Sequence, residues 1–157
     1  MHIVLYQPEI PQNTGNIART CAATGSILHL IEPLGFELSD KYLKRAGLDY
    51  WHLMELHVHA SFEELMKEYP NAVYHFATTK APRGYHEVQY GPDDFLVFGP
   101  ETRGLPEPLL EGGNWKCFRH SAAHPSSRTT HHIQHIRVHR CDPCYRKKQT
   151  GIPIQHP

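Results

Sequence analysis

The chain has 157 residues, with 16 Lys and Arg, 16 Asp and Glu and 14 His, the size of a single domain that closes a hydrophobic core without disulfide or metal staples. The net charge of zero conceals a division, because residues 1–114 carry eight Lys and Arg against fifteen Asp and Glu, whereas residues 115–157 carry eight against one. No apolar run approaches the roughly 20 residues of a membrane span and the first ten residues lack signal-peptide features, so the sequence predicts a cytoplasmic protein with no membrane partner.

The first 119 residues alternate strand-like and helix-like segments. Short apolar runs predict strands over residues 2–6, 27–31, 73–79, 94–99 and 116–119. Capping residues and glycine or proline stops predict helices within residues 13–25, 39–47, 61–70 and 106–113. Asn13 is the predicted N-cap of the first of these helices, and Ser61 with Glu64 forms a capping box on the third. The alternation predicts an α/β fold, a parallel sheet flanked by helices on both faces, with ligands at the carboxyl ends of the strands.

The segment "FLVFGPETRGLPEPLL" (residues 95–110) draws attention first among the predicted loops. Gly99 ends a buried strand, where the missing side chain would let the backbone come close to a ligand, and Gly104 permits a sharp return. Glu101 and Arg103 lie between the two glycines. A tight turn with two solvated charges has the same spacing, so the pattern alone leaves both interpretations open.

The first predicted helix repeats this combination of small and charged residues. At about 100° per residue, Asn16, Arg19 and Ala23 share one face, opposite the face of Ile17 and Cys21 that would pack on the sheet. The segment "PQNTGN" also concentrates side-chain amides at the helix N-terminus, where anions such as phosphate are favoured. An outward Arg19 would extend such an anion site, although most helical arginines are simply solvated.

Five ordered motifs resemble one known group of enzymes. They are "LYQPEIPQNTGNIARTCAATG", "HLIEPLGF", "KRAGLDYW", "FATTK" and "VFGPETRGLP", all within residues 1–119. Their order and separations resemble the SPOUT superfamily of RNA methyltransferases, and within it the minimal tRNA 2′-O-methyltransferases that modify the wobble cytidine or uridine of certain leucine tRNAs. The resemblance implies an α/β fold with a deep trefoil knot, a rare exception to the rule against knots.

The resemblance also implies a cofactor, an oligomeric state and a set of site residues. The cofactor is S-adenosylmethionine, bound in the knot, and the protein works as a homodimer with its active site at the subunit interface. Arg19 would be catalytic, facing the methyl donor held by the partner subunit, and it would share an RNA-binding surface with Asn13 and Asn16. The cofactor would contact Ala77, Thr78, Gly99, Glu101, Gly104, Leu105 and His120.

The expected chemistry is methyl transfer to a ribose 2′-hydroxyl. The methyl group of a sulfonium is already activated, so the reaction needs an in-line approach and help in removing the hydroxyl proton. A guanidinium stays protonated at neutral pH. We therefore assign Arg19 the orientation of the 2′-hydroxyl or the adjacent phosphate rather than the role of a base.

The resemblance stops near Arg119, which divides the chain into a predicted methyltransferase domain at residues 1–119 and an aberrant basic tail at residues 120–157. The family would continue with a knot-closing segment and an apolar helix, whereas this tail is sparse in apolar residues, has no helical period and predicts an irregular structure. One explanation is a one-base frameshift near codon 120. The bases that encode "IQHIR" (residues 133–137) can spell Ser-Asn-Thr-Ser-Ala one position on, close to the missing motif.

The alternative explanation takes the tail as it stands. His135 and His139 are spaced i, i+4, and Cys141 and Cys144 form a CxxC pair, so four ligands suited to tetrahedral zinc lie within ten residues. Five nearby Lys and Arg would make this segment a basic, RNA-binding appendage. A single CxxC among many histidines also arises by chance, so we assign no metal site and keep a non-catalytic RNA-binding protein as the rival function.

Overall fold

The computed structural model of the chain describes residues 1–37, 54–111 and 115–119. Within them, six strands form one parallel sheet in the order β3-β2-β1-β5-β4-β6. The strands are β1 (His2–Tyr6), β2 (Ile27–Ile31), β3 (Leu56–His59), β4 (Tyr74–Thr78), β5 (Phe95–Phe98) and β6 (Lys116–Arg119). β1 and β5 lie side by side at the centre and are almost wholly buried, as expected of parallel strands covered on both faces.

Helices cover both faces of this sheet. Helix α1 (Pro11–Thr24) packs Ile17 and Cys21 on one face, and helix α2 (Phe62–Glu68) packs Phe62 and Leu65 on the other. A short helix α3 (Glu107–Glu111) follows β5, and a 3-10 turn covers Tyr85–Glu87. Burying one such apolar side chain contributes about 1.5 to 3 kcal/mol. The predicted α/β class and the two-sided covering of the sheet are confirmed.

The predicted elements agree with the structure except at two places. β3 was not predicted, because its sequence "LHVH" alternates apolar residues with histidine. The predicted N-cap of α1 is wrong: the helix begins at Pro11 and its N-cap is Ile10, which makes no side-chain cap. Proline suits the first helical position, because its fixed φ is helical and it has no N–H to leave unsatisfied. The predicted helix over residues 39–47 lies outside the described residues.

Local chemistry sets the ends of the other helices much as the sequence indicates. α1 stops at Gly25, which adopts the left-handed conformation with φ of 63°, a conformation that glycine reaches without a Cβ penalty. At the start of α2, the Ser61 hydroxyl accepts a hydrogen bond from the Glu64 N–H at 3.2 Å. The Glu64 carboxylate in turn accepts from the Ala60 N–H at 2.7 Å. The predicted capping pair is therefore present, with the return contact one residue earlier than in an ideal capping box.

A row of histidines crosses the first three strands on the face that α2 covers. His2 Nδ1 lies 2.9 Å from His29 Nε2, and His29 Nδ1 lies 3.0 Å from His59 Nε2. The row ends at Glu68, whose carboxylate is 3.5 Å from His59 Nδ1. Each such bond needs one protonated and one bare nitrogen, so a single set of neutral tautomers satisfies the whole row, with His59 donating to Glu68. We call His2, His29 and His59 the histidine row.

Candidate active site at the carboxyl edge of the sheet

Three loops leave the carboxyl ends of neighbouring strands and form one edge of the molecule. Residues 7–10 join β1 to α1, residues 79–84 follow β4, and residues 99–104 follow β5. Because β1, β5 and β4 are adjacent in the sheet, these loops lie beside one another. This edge is where parallel α/β folds bind ligands.

The loop after β5, residues 99–104, closes on its own backbone. A Cβ built on Gly99 would lie 2.4 Å from both Gly104 C and Leu105 N. The Gly104 N–H donates to the Pro100 carbonyl at 3.0 Å, and Gly104 has a φ of 70°. From the sequence, Gly99 was expected to let the backbone come close to a ligand. In the structure the space that it leaves is taken by the far end of the same loop.

A paired glycine experiment tests this loop geometry. Gly99→Ala should lower the free energy of unfolding by about 1 to 3 kcal/mol, because the new methyl group cannot fit against backbone atoms that have no rotamer to change. Gly104→Asn is the control, because its site has open space for a side chain and asparagine tolerates the left-handed conformation. Urea unfolding of both variants is the measurement. Equal losses in the two variants would contradict the close approach at Gly99.

Glu101 does not point along its own loop but reaches to the start of α1. Its Oε2 accepts from the Glu9 N–H at 2.8 Å, while its Oε1 accepts from Asn13 Nδ2 at 3.2 Å and from the Ile10 N–H at 3.4 Å. A carboxylate is favourable at this position because the helix dipole is positive there. The sequence favoured an external anion, such as phosphate, at this terminus. In the structure, the protein supplies the anion itself.

Glu9 makes the reciprocal contact. Its carboxylate accepts from the Thr102 hydroxyl at 2.6 Å and lies 3.4 Å from the Arg103 guanidinium. Each of the two loops therefore donates to a carboxylate of the other, and we call this pair, Glu9 and Glu101 with their donors, the carboxylate latch. Glu9 was not among the residues predicted from the sequence to form the site. Nothing in its local pattern separates it from an ordinary solvated glutamate.

The predicted RNA-binding residues all lie on α1. Arg19 is exposed, Asn16 is half-buried, and the buried face of the helix carries Ile17 and Cys21, as the helical spacing predicts. The Asn13 amide donates to the Glu101 carboxylate of the loop after β5. The rise of 1.5 Å per residue puts Arg19 about 9 Å further along the axis than Asn13. The RNA-binding roles themselves stay predictions.

The predicted cofactor residues are brought together by the neighbouring strands β4 and β5. Ala77 is buried in the core and Thr78 is half-buried at the end of β4, where its hydroxyl accepts from the Lys80 N–H at 3.2 Å. An ion pair between Lys80 and Glu107 ties the loop after β4 to helix α3. Leu105 is 8% exposed and belongs to the core cluster that α2 also joins.

The end of β6 supplies the third side of this region. The Arg119 N–H donates to the Arg83 carbonyl at 2.6 Å, and a β-bridge links Arg119 to Gly84. The strand therefore delivers the chain beside the loop after β4. His120, the last predicted cofactor residue, follows directly but lies outside the described part of the chain.

Two further predictions concern metals and membranes. Within residues 1–37, 54–111 and 115–119, no group of three or more His, Cys, Asp or Glu side chains is placed to hold a metal ion. The histidines and cysteines of the zinc alternative fall in the tail, which is not part of the described structure. No helix in the described ranges is long and apolar enough to span a membrane.

Comparison with known proteins identifies the family. The SpoU rRNA Methylase family matches residues 1–119. A tRNA (cytidine(34)-2′-O)-methyltransferase of Saccharophagus degradans is 54% identical over 110 residues, which cover 70% of this chain and 71% of that protein. A solved structure concerned with the 2-OH methylation of C/U34 on tRNA is 39% identical with a TM-score of 0.81, covering 96% of this chain and 97% of the other.

A more distant structure shares the fold. The SpoU methyltransferase AviRb of Streptomyces viridochromogenes, solved in complex with AdoMet, has a TM-score of 0.75 at 17% identity, over 97% of this chain and 59% of its own. The resemblance of the first 119 residues to the SPOUT methyltransferases is thus confirmed. The chain belongs to the SpoU rRNA Methylase family of RNA 2′-O-methyltransferases.

Proposed function

We propose that the chain transfers a methyl group from S-adenosylmethionine to the ribose 2′-hydroxyl of cytidine or uridine 34 in a leucine tRNA. The observation that carries the proposal is the 54% identity to a protein named for methylation of cytidine 34. The solved structure concerned with C/U34 methylation supports the same reaction over nearly the whole chain. The cytoplasmic location, the homodimer and the trefoil knot belong to this proposal.

Two of the described loops are proposed to hold the methyl donor. These loops follow β4 and β5, which are adjacent in the sheet. The donor would contact their backbone groups, because Ala77 is buried and the space beside Gly99 is filled by Gly104 and Leu105. The Glu101 carboxylate is turned away to α1, so this acid is not held against the donor. When the donor is bound, its sulfonium supplies an activated methyl group; the C–S bond breaks as the C–O bond forms.

Arg19 is the residue proposed to serve the RNA. It is exposed on a helix whose buried face fixes its direction, so it can meet a ribose 2′-hydroxyl or the neighbouring phosphate without disturbing the core. A guanidinium recognises phosphate through paired N–H donors. Its role is to orient the hydroxyl for in-line attack, and the released proton goes to solvent water, because the guanidinium is already protonated.

The direct test is transfer of tritiated methyl to unmodified leucine tRNA. It compares the chain as given with a version whose residues 120–157 are replaced by the family's knot-closing segment. Labelling by either version supports the proposal, and labelling by the restored version alone identifies the tail as the lesion. If neither labels tRNA, the proposed function fails. Resequencing the gene and measuring the intact mass decide between a frameshift and a genuine tail.

The rival function is a non-catalytic RNA-binding protein, favoured by the eight Lys and Arg against one acidic residue in residues 115–157. Calorimetry with S-adenosylhomocysteine separates the two functions. Saturable binding supports the methyltransferase. RNA binding without any cofactor binding supports the rival, and it should weaken steeply with salt, since phosphate contacts release counterions.

A further inference from the structure

We infer that Glu9 is a positioning residue, which fixes helix α1 and its Arg19 relative to the loop after β5. The inference deepens the proposed methyl transfer and rests on it. Three observations carry it: the crossed contacts of the carboxylate latch, the close packing of the Glu9 backbone on its other side, and the absence of a side-chain cap from Ile10 at the start of α1.

The latch joins residues that are 92 positions apart in the chain. Glu101 holds the backbone of Glu9 at 2.8 Å, and Glu9 holds the hydroxyl of Thr102 at 2.6 Å. Each loop accepts one of these two bonds from the other, so both bonds must break before the two loops can separate. Because each involves a carboxylate, each is stronger than a bond between neutral groups.

The loop after β2 holds Glu9 from the other side. A Cβ built on Gly35 would lie 2.7 Å from Glu9 Cα, and the Gly35 N–H donates to the Pro8 carbonyl at 2.9 Å. Gln7, directly before Pro8, has a φ of 49°, a conformation that residues with a side chain rarely adopt. The turn from β1 into α1 is thus confined by both neighbouring loops. Among the contacts of the described residues, only the latch connects this turn to the loop after β5 through side chains.

Helix α1 begins directly after this turn. The side chain of its N-cap, Ile10, cannot accept a hydrogen bond from the first turn. The contact between Asn13 and Glu101 holds this end of the helix instead. The helix then runs without interruption past Arg19 to Thr24. A shift at Glu9 would therefore move the whole helix and with it the Arg19 guanidinium. In a dimer where Arg19 serves the partner's site, the latch would couple the loop after β5 of one subunit to the active site of the other.

Within the latch, the Thr102 contact should matter more than the Arg103 contact. The Arg103 side chain is 68% exposed and its pair with Glu9 measures 3.4 Å, and exposed ion pairs contribute little. The hydroxyl of Thr102 donates at 2.6 Å to a carboxylate that is only 28% exposed. Arg103→Gln is accordingly a matched control for Thr102→Val.

The experiment measures single-turnover methylation and S-adenosylhomocysteine affinity in the full-length version that is active. Glu9→Ala and Thr102→Val should each slow methyl transfer about ten- to a hundredfold, because small misplacements of reacting groups cost that much, with cofactor affinity unchanged. Thr102→Ser keeps the hydroxyl donor and should methylate at the parent rate, and Arg103→Gln should also keep the parent rate. The double variant Glu9→Ala/Thr102→Val should be no slower than the slower single variant, since both substitutions remove the same hydrogen bond. Parent rates in Glu9→Ala and Thr102→Val, or cofactor affinity lost in step with the rate, would overturn the inference.

Hydrogen exchange provides a readout that does not need activity. In the chain as given, Glu9→Ala and Thr102→Val should speed amide exchange in the first turn of α1 about fivefold or more, with α2 unchanged. Exchange that stays at the parent rate would overturn the latch even in an active enzyme. If the parent transfers no methyl group, the proposed function fails, and exchange alone decides whether Glu9 positions α1.

Discussion

Replacement of Arg19 by alanine is expected to slow methyl transfer by about a hundredfold or more, the usual cost of losing one preorganised donor at a reacting centre. The side chain is exposed on α1, on the face opposite Ile17 and Cys21. No buried volume is lost, so the free energy of unfolding should stay within about 0.5 kcal/mol of the parent. Cofactor affinity should also be unchanged, because the predicted donor loops follow β4 and β5 rather than α1.

Paired measurements distinguish the outcomes. Single-turnover methylation of tRNA is compared with calorimetric binding of S-adenosylhomocysteine, in the restored-tail version if only that version is active. Lys67→Ala is the matched control, because Lys67 is another exposed helical cation, on α2. A variant that methylates at the parent rate would remove Arg19 from the mechanism. Loss of cofactor binding in proportion to activity would place Arg19 at the methyl donor instead of the RNA.

The sheet and its covering helices could be predicted from the sequence because their signals are local. β1, β2 and β5 are short apolar runs, and α2 carries its capping serine within its own segment. β3 was missed for a physical reason: its histidines look polar in sequence. In the structure His59 is buried and His57 stacks on the histidine row, so tertiary contacts decide that this segment is a strand.

The candidate site could be predicted only in part, because its decisive contacts join distant residues. The glycines and Arg19 were found from spacing and resemblance. The direction of Glu101 could not be found, since its partners Glu9 and Asn13 lie about 90 positions away and belong to a different loop. The same contacts place a carboxylate of the protein at the start of α1, where the sequence favoured an external anion. The N-cap inference at Asn13 failed separately, because the helix begins at Pro11.

Acid is expected to destabilise this protein through the histidine row. His29 is fully buried, and burial, together with the neighbouring charges of His2, His59 and His57, lowers its pKa from 6.5 to about 3. Burial also lowers the pKa of His2 and of His59. The acidic groups near the row oppose these shifts without reversing them; they are Glu55 and Asp93 beside His2, and Glu64 and Glu68 beside His59.

The sign of the effect follows from proton uptake. In the unfolded chain a histidine has a pKa near 6.5 and takes up a proton below that pH, whereas the folded protein keeps His29 neutral down to about 3. The free energy of unfolding is therefore highest above pH 6.5 and falls as the pH drops towards 3. His29 alone should lower the free energy of unfolding by about 1.4 kcal/mol for each pH unit below 6.5, or about 2 kcal/mol at pH 5. That is a large part of the 5 to 15 kcal/mol typical of a domain.

The test is urea unfolding at several pH values between 7.5 and 5, in parent and variants. His29→Leu removes the buried imidazole. At pH 5 the slope of the unfolding free energy against pH should therefore fall by about 1.4 kcal/mol per pH unit, which corresponds to one proton, whatever the stability of the variant at pH 7.5. Gln89→Ala, at an exposed residue that carries no titratable group, provides the control and should keep the parent slope. The histidines of residues 120–157 are common to all three chains and cancel in the comparison. A parent slope retained in His29→Leu would show that His29 takes up its proton in the folded protein as it does in the unfolded chain. The neutral tautomer chain from His2 to Glu68 would then be wrong at His29.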